Sequence, residues 1–214
     1  MRKDLGCIIA AVIVLVIVVL VASSWYVGVR NRLVTLDEAV NNQWAQVQSQ
    51  YQRRFDLIPN LVKTVEGAAN FEKATLQTVV EARAKVGQVQ VVQAPGQPPA
   101  QANLPNDQNA MSQYAAAQQG LWGAVSRLIA VSERYPDLKA NANFIKLQDE
   151  LEGTENRIAV ERMRYNEKAQ AFNTAVRRFP ASIVANNSGF KPKAYFQGAA
   201  GSDQAPPVNF NFGK

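Results

Sequence analysis

Histidine is absent from all 214 residues, and cysteine occurs once, at Cys7. Without imidazole the chain lacks the commonest general base and the usual nitrogen ligand for metals. Ser-His-Asp and Cys-His catalysis are excluded with it. One cysteine permits neither an intramolecular disulfide nor a thiolate metal cluster. Phosphate loops of the forms Gly-x-Gly-x-x-Gly and Gly-x-x-x-x-Gly-Lys do not occur either. What is left for catalysis is a carboxylate pair or a lysine nucleophile, and no residue is singled out for such a role. Asp149, Glu150 and Glu152 bring carboxylates together on one predicted helix, but a metal there would need ligands from other helices. The expectation is a protein that is not an enzyme, with no cofactor and no metal.

Acidic residues are the minority charge, 17 against 23 Lys and Arg, for a net +6 and a pI of about 9.5. Beyond Val29 the balance is 21 basic to 16 acidic residues, since Arg2, Lys3 and Asp4 precede it. So small an excess makes no nucleic-acid stripe. It suits either ordinary solubility or proximity to anionic headgroups.

Charge of either sign is missing altogether from residues 5–29, a run of 25 that is mostly Ile, Val, Leu and Ala. A helix crosses the roughly 30 Å bilayer core with about 20 such residues. Backbone groups find no water there, so a spanning segment must be helical. Trp25 and Tyr26 near its end are residues that favour the headgroup layer and are read as membrane-interface anchors. Three readings exist for this run. It can be an uncleaved single-pass anchor. It can be a signal peptide with Arg2 and Lys3 as n-region, residues 8–21 as h-region and Ala22-Ser23-Ser24 as cleavage site. It can be a lipoprotein leader at Cys7, which fails because the apolar stretch follows the cysteine. Apolar character continues through Trp25, Tyr26, Val27 and Val29 and favours the anchor, in a cell (inner) membrane. Arg2 and Lys3 face Arg30 and Arg32 across it, so the positive-inside rule is nearly balanced, and the α-amino group tilts it toward an inside N-terminus.

Beyond the span the periodicity is helical. Thr35-Leu-Asp-Glu38 reads as a capping box opening a new helix. Leu36, Val40, Trp44, Val47, Tyr51, Phe55, Ile58, Val62, Val65 and Ala69 form one stripe with steps near 3.67, an eleven-residue repeat. Pro59 lies inside it at a cost of about 3 kcal/mol, yet the apolar phase does not change across it. One long helix kinked at Pro59 and ending near Lys85 to Gly87 is therefore expected; the alternative is two helices joined at Pro59. Gln88 to Asp107, with five prolines or glycines among Gln and Ala, reads as a long protruding loop. A helix starting around Asn106 to Gln108 places Tyr114, Leu121, Leu128 and Tyr135 seven apart, with Met111, Val125 and Ser132 beside them. Pro136-Asp137 ends it. In the last helix Phe144, Leu151, Ile158, Tyr165, Phe172 and Phe179 repeat every seven residues, a coiled-coil-like seam stopped by Pro180. Phe144, Leu151, Ile158 and Phe172 are the expected core. The tail carries Phe190, Tyr195, Phe196, Phe210 and Phe212, more aromatics than solvation needs, which points to docking on the bundle or on a neighbouring subunit.

The chain is thus predicted to be all-α: an N-terminal transmembrane helix, then an elongated antiparallel bundle of three long helices, with a four-helix up-down bundle as the alternative. The divisions are a short tail 1–6, a span 7–29, a bundle 30–180 with loop 88–107, and a tail 181–214. Arg53 and Arg54, just before Pro59, are candidate contacts to lipid phosphate or a partner carboxylate. The bland alternative is a solvated face, or pairing with Glu of another helix.

Leu33-Val-Thr-Leu-Asp-Glu38 and Gln50-Tyr-Gln-Arg-Arg-Phe-Asp-Leu-Ile-Pro-Asn-Leu-Val62 closely resemble the LemA family of bacterial membrane proteins. Arg134-Tyr-Pro-Asp-Leu-Lys139, Gln148-Asp-Glu-Leu-Glu-Gly-Thr-Glu-Asn-Arg-Ile158, Tyr165-Asn166, Gly189-Phe190 and Tyr195-Phe196 agree as well. The resemblance covers nearly the whole chain after the anchor. It implies a membrane helix followed by a bundle of long helices, no established enzymatic activity, and a small N-terminus outside with the bundle in the cytoplasm. The loop Gln93 to Asn103 departs from the commoner pattern, which bears on any partner shared at that end. Partners expected are the lipid bilayer, further copies in a homo-oligomer, and a membrane protein; no nucleic acid is expected. The leading functional expectation is a self-associating membrane scaffold or adaptor. The alternative is an accessory or regulatory subunit of a membrane protease or transporter.

Overall fold

The computed structural model describes residues 2–67, 71–91 and 104–198, with side chains from Val12 onward except Gln90 and Val91. Helix makes up 86% of the described residues, with no strand among them, so the all-α reading holds. The elements are α1 (Arg2–Glu66), α2 (Lys73–Val91), a 3-10 turn (Leu104–Asn106), α3 (Gln108–Ser132), α4 (Pro136–Lys139), α5 (Ala142–Arg177) and α6 (Ala181–Asn187).

α1 is one helix of 65 residues, about 100 Å at 1.5 Å per residue. Residues 2–6 of the expected tail 1–6 and the expected span 7–29 lie in this one element. Thr35 is not an N-cap: its hydroxyl donates back to the Asn31 carbonyl at 3.0 Å, within the helix. No glycine or proline lies between Arg30 and Thr35 to break the run. Pro59 does not end α1 either. Ile58, Leu61, Val62 and Val65 around it are buried against Leu121, Val125 and Leu128. Four such side chains, at about 1.5–3 kcal/mol each, outweigh a proline penalty of about 3 kcal/mol.

The helix stops at Glu66 instead of continuing to Lys85 or Gly87. The Gly67 amide closes the last turn on the Lys63 carbonyl at 3.3 Å. Phe71 then packs on Tyr135 with ring centroids 4.9 Å apart, and the chain returns as α2. The four-helix alternative is therefore the correct one, with its break after Glu66 and not at Pro59.

Direction follows from contacts. Gln43 bonds Glu161 and Arg54 bonds Glu155, so α5 runs antiparallel to α1. Trp44 meets Tyr114 and Phe71 meets Tyr135, so α3 runs parallel to α1, with α2 returning along α3. Along the α1 stripe Val40, Trp44, Val47, Tyr51, Ile58, Val62 and Val65 are buried, Leu36 and Phe55 are half-buried, and Ala69 lies outside the described residues. In α5, Phe144, Leu151, Ile158, Tyr165 and Phe172 are buried, while Phe179 is 77% exposed. A residue before proline is disfavoured in the helical region, so α5 ends at Arg177 and Phe179 leaves the seam.

The expected loop 88–107 is shorter at both ends, because α2 reaches Val91 and the 3-10 turn begins at Leu104; Gln93 to Asn103 lies outside the described residues. Asp107 caps α3, its carboxylate accepting from the amides of Asn109 and Ala110 at 2.8 and 3.1 Å. The chain after α6 returns along the bundle as far as Gly198; Phe210 and Phe212 lie outside the described residues.

Candidate functional site

The end of the bundle where α1 leaves its apolar run is built from α1, α6 and the junction after α5. Val12 to Val21 are all exposed, as expected of side chains that face a surrounding other than this chain. Trp25 is 44% exposed. Tyr26 is half-buried instead: its hydroxyl accepts from Asn187 Nδ2 at 2.9 Å and lies 3.4 Å from Ser188 Oγ. Its ring and Val29 pack on the cluster that includes Val184 and Ala185 of α6. Tyr26 is thus also a tie between α1 and α6. Phe179 and Ile183 stay open, at 77% and 60% exposure.

The segment after α6 is fixed by amide side chains. Asn173 accepts from the Lys193 amide at 2.6 Å and donates to the Lys193 carbonyl at 2.8 Å. Asn166 makes the same pair with Phe196, both at 2.9 Å. Gln108 does so with Tyr195, at 3.1 and 3.0 Å. Each carboxamide satisfies one donor and one acceptor, so this irregular segment leaves few buried backbone groups unpaired. The Tyr165 hydroxyl donates to the Ala194 carbonyl at 3.1 Å, and burial pushes its pKa up. Phe196 completes an aromatic cluster with Trp44 and Tyr165, centroids 5.8 and 5.3 Å away. Lys193 is 8% exposed and pairs with Asp37 at 2.6 Å while donating to Asn106 at 2.9 Å. Of this the sequence signalled only the aromatics; the carboxamides carry no spacing pattern.

Arg53 and Arg54 separate. Arg53 is exposed and open to a ligand. Arg54 is 1% exposed, which corrects its expected place on the surface. It pairs with Glu155 at 2.6 Å and donates to both the carbonyl and the side-chain oxygen of Gln118. Its guanidinium lies 5.2 Å from the centre of the Tyr51 ring, whose hydroxyl burial pushes up to about 12. The bland alternative, a pair with Glu of another helix, is the arrangement found. Phe144, Leu151, Ile158 and Phe172 lie within the two apolar clusters, Ile158 and Phe172 toward the Tyr26 end, Phe144 and Leu151 toward the other.

Between α2 and α3 runs an open furrow of Ala82, Lys85 and Val89 facing Ala116, Ala117, Gly120 and Gly123. A Cβ at Gly120 or Gly123 would meet nothing within 4 Å, so these glycines widen the furrow and are not needed for tight packing. Among the described residues no group of three Cys, Asp or Glu side chains could hold a metal.

Comparison with known proteins places this architecture. The LemA family profile matches residues 43–210. Magnetosome proteins MamQ 1 and MamQ 2 of Paramagnetospirillum magneticum are 28% identical over 178 residues, which is 78% of this chain and 64% of theirs. The chain thus spans a little less than two thirds of those relatives. Protein LemA of Metamycoplasma hominis is 24% identical over 172 residues, 80% of this chain and 70% of its own. Neither name states an enzymatic activity. The apolar helix and these relatives together point to a membrane-associated helical protein.

Proposed function

Since the chain belongs to the LemA family, and its apolar helix runs directly into its core, we propose that it is a single-pass membrane scaffold or adaptor that self-associates and organises the membrane around it. The observation that carries this reading is the continuity of α1 from Arg2 to Glu66. An enzyme tethered for convenience needs only a flexible linker. Here the same helix that supplies the apolar run also supplies Val40, Trp44, Val47 and Tyr51 to the core, so the bundle is held at a fixed angle to that run. The part of α1 from Arg30 to Glu66 is about 55 Å long, which presents a tall lateral surface to neighbours in the plane. The α2–α3 furrow is a largely apolar face on that surface suited to another helix. Arg53 is available to a partner carboxylate.

The test is the mass of the complex extracted at native abundance in mild detergent. A homo-oligomer is expected. A stoichiometric foreign membrane protein would overturn self-association and make the chain an accessory subunit.

A further inference from the structure

The end of the bundle next to the apolar run carries an exposed apolar pair and four exposed arginines. Phe179 and Ile183 are 77% and 60% exposed, and they sit at the α5–α6 junction and on α6. Two hydrogen-bonded neighbours, Asn187 and Ser188, tie the end of α6 to Tyr26, near the end of the apolar run of α1. The inward face of α6, Val184 and Ala185, is buried in the cluster that Tyr26 and Val29 pack against. Ile183 therefore faces outward while α6 is held level with the end of the span. Arg30 and Arg32 of α1 and Arg177 and Arg178 at the end of α5 belong to the same end of the bundle and are all exposed. Among the described residues none of the four forms an ion pair. The sequence places no acidic residue between Asp4 and Asp37, or between Glu167 and Asp203. The opposite end differs: Glu66, Glu72, Glu133 and Asp137 are exposed there among Lys63, Lys73, Arg134 and Lys139, so both signs are mixed.

Exposed apolar side chains rimmed by polar groups mark an interaction site, and cations next to them are drawn to the anionic leaflet surface. Amphipathic elements of this kind lie about 5–10 Å into the boundary between headgroups and acyl chains. Continuity with the span decides the occupant, because α6 cannot leave the level of Tyr26 without breaking its packing on α1. We infer that Phe179 and Ile183 insert into the headgroup layer of an anionic bilayer, with Arg30, Arg32, Arg177 and Arg178 on its phosphates, so that α6 is a second, peripheral membrane contact beside the span. This rests on the anchor reading, and the experiment separates the two.

Full-length protein with Cys7→Ala and a single spin-labelled cysteine is reconstituted into vesicles containing phosphatidylglycerol. Labels at Phe179→Cys and Ile183→Cys are compared with Met163→Cys, an exposed position on the side of α5, and with Val18→Cys in the span. The expected result is an oxygen-to-nickel-chelate accessibility ratio several-fold higher at 179 and 183 than at 163, and highest at 18. A ratio at 179 and 183 equal to that at 163, with 18 still in lipid, overturns the second contact and leaves the anchor. Shielding from both reagents means that protein, such as a second copy, covers this end, and also overturns it. Water-like accessibility at 18 overturns the anchor itself. All four positions are exposed, so the labels do not disturb the core.

Discussion

Two adjacent arginines have opposite fates for a reason that only the third dimension supplies. Arg54 lies on the buried side of α1, where it neutralises Glu155 and satisfies Gln118. Removing one partner of a fully buried pair costs about 3–5 kcal/mol; Glu155 is 29% exposed and keeps some water, so the low end of that range applies. Arg54→Ala is expected to lower stability by about 3 kcal/mol in a denaturant titration of the bundle, and Arg53→Ala by less than about 0.5 kcal/mol. Equal effects would mean that the pair contributes nothing net. The buried tyrosine beside it gives a pH signature. Tyr51 is raised from 10.0 to about 12, so the folded state holds its proton where the unfolded state has lost it. Its contribution is complete below pH 10 and is lost as the pH rises from 10 toward 12. Two pKa units correspond to about 3 kcal/mol. Stability followed by circular dichroism should fall across that window, and Tyr51→Phe should flatten part of the fall. Sequence alone could not sort these residues, since Gln52-Arg53-Arg54 reads as a uniformly polar face until the position of α3 is known.

At the scale of elements, the seven-residue spacing of α5 was legible from Phe144 to Phe172 and the eleven-residue stripe of α1 from Leu36 to Val65, because both sample one helix face at constant phase. Leu151 is 0% exposed on that face, and Leu151→Ala should cost about 2–5 kcal/mol and shift the melting temperature accordingly. The helix end was not legible. Pro59 carries the stronger local signal, but its buried neighbours hold the helix through it, whereas the decisive break falls at Gly67, where the apolar phase from Val65 to Ala69 conceals the turn. The tail was half legible: its aromatics announced docking, but Asn173, Asn166 and Gln108, which fix its backbone, look like ordinary polar residues. Asn173→Ala strands the amide and carbonyl of Lys193 in a buried setting, at about 1–3 kcal/mol. Limited proteolysis of that variant should cut between Lys193 and Gly198 faster than in the parent. An unchanged cleavage rate would show that the aromatic cluster alone holds the segment.

For the whole molecule, the apolar run and the bundle make separable demands. Residues 30–214 produced alone should be soluble and largely helical, since both apolar clusters lie almost wholly beyond Val29. The full-length chain should fractionate with membranes, and its recovery in the soluble pool would defeat the anchor reading. What composition excluded, histidine chemistry and thiolate chemistry, it excluded at this scale too. What composition could not reveal is that the apolar run and the bundle share one helix without a joint.

That absence of a joint makes α1 a mast, and a mast amplifies. Transmembrane helices tilt by about 20° on average, and by more where the lipid is thin. Over the roughly 55 Å from Arg30 to Glu66, such a tilt carries the top of the bundle sideways by about 19 Å. Local bilayer thickness would thereby be converted into the reach of the turn at Gly67, far above the lipid. Neighbours standing in the same patch would lean together, and those in patches of different thickness would lean apart.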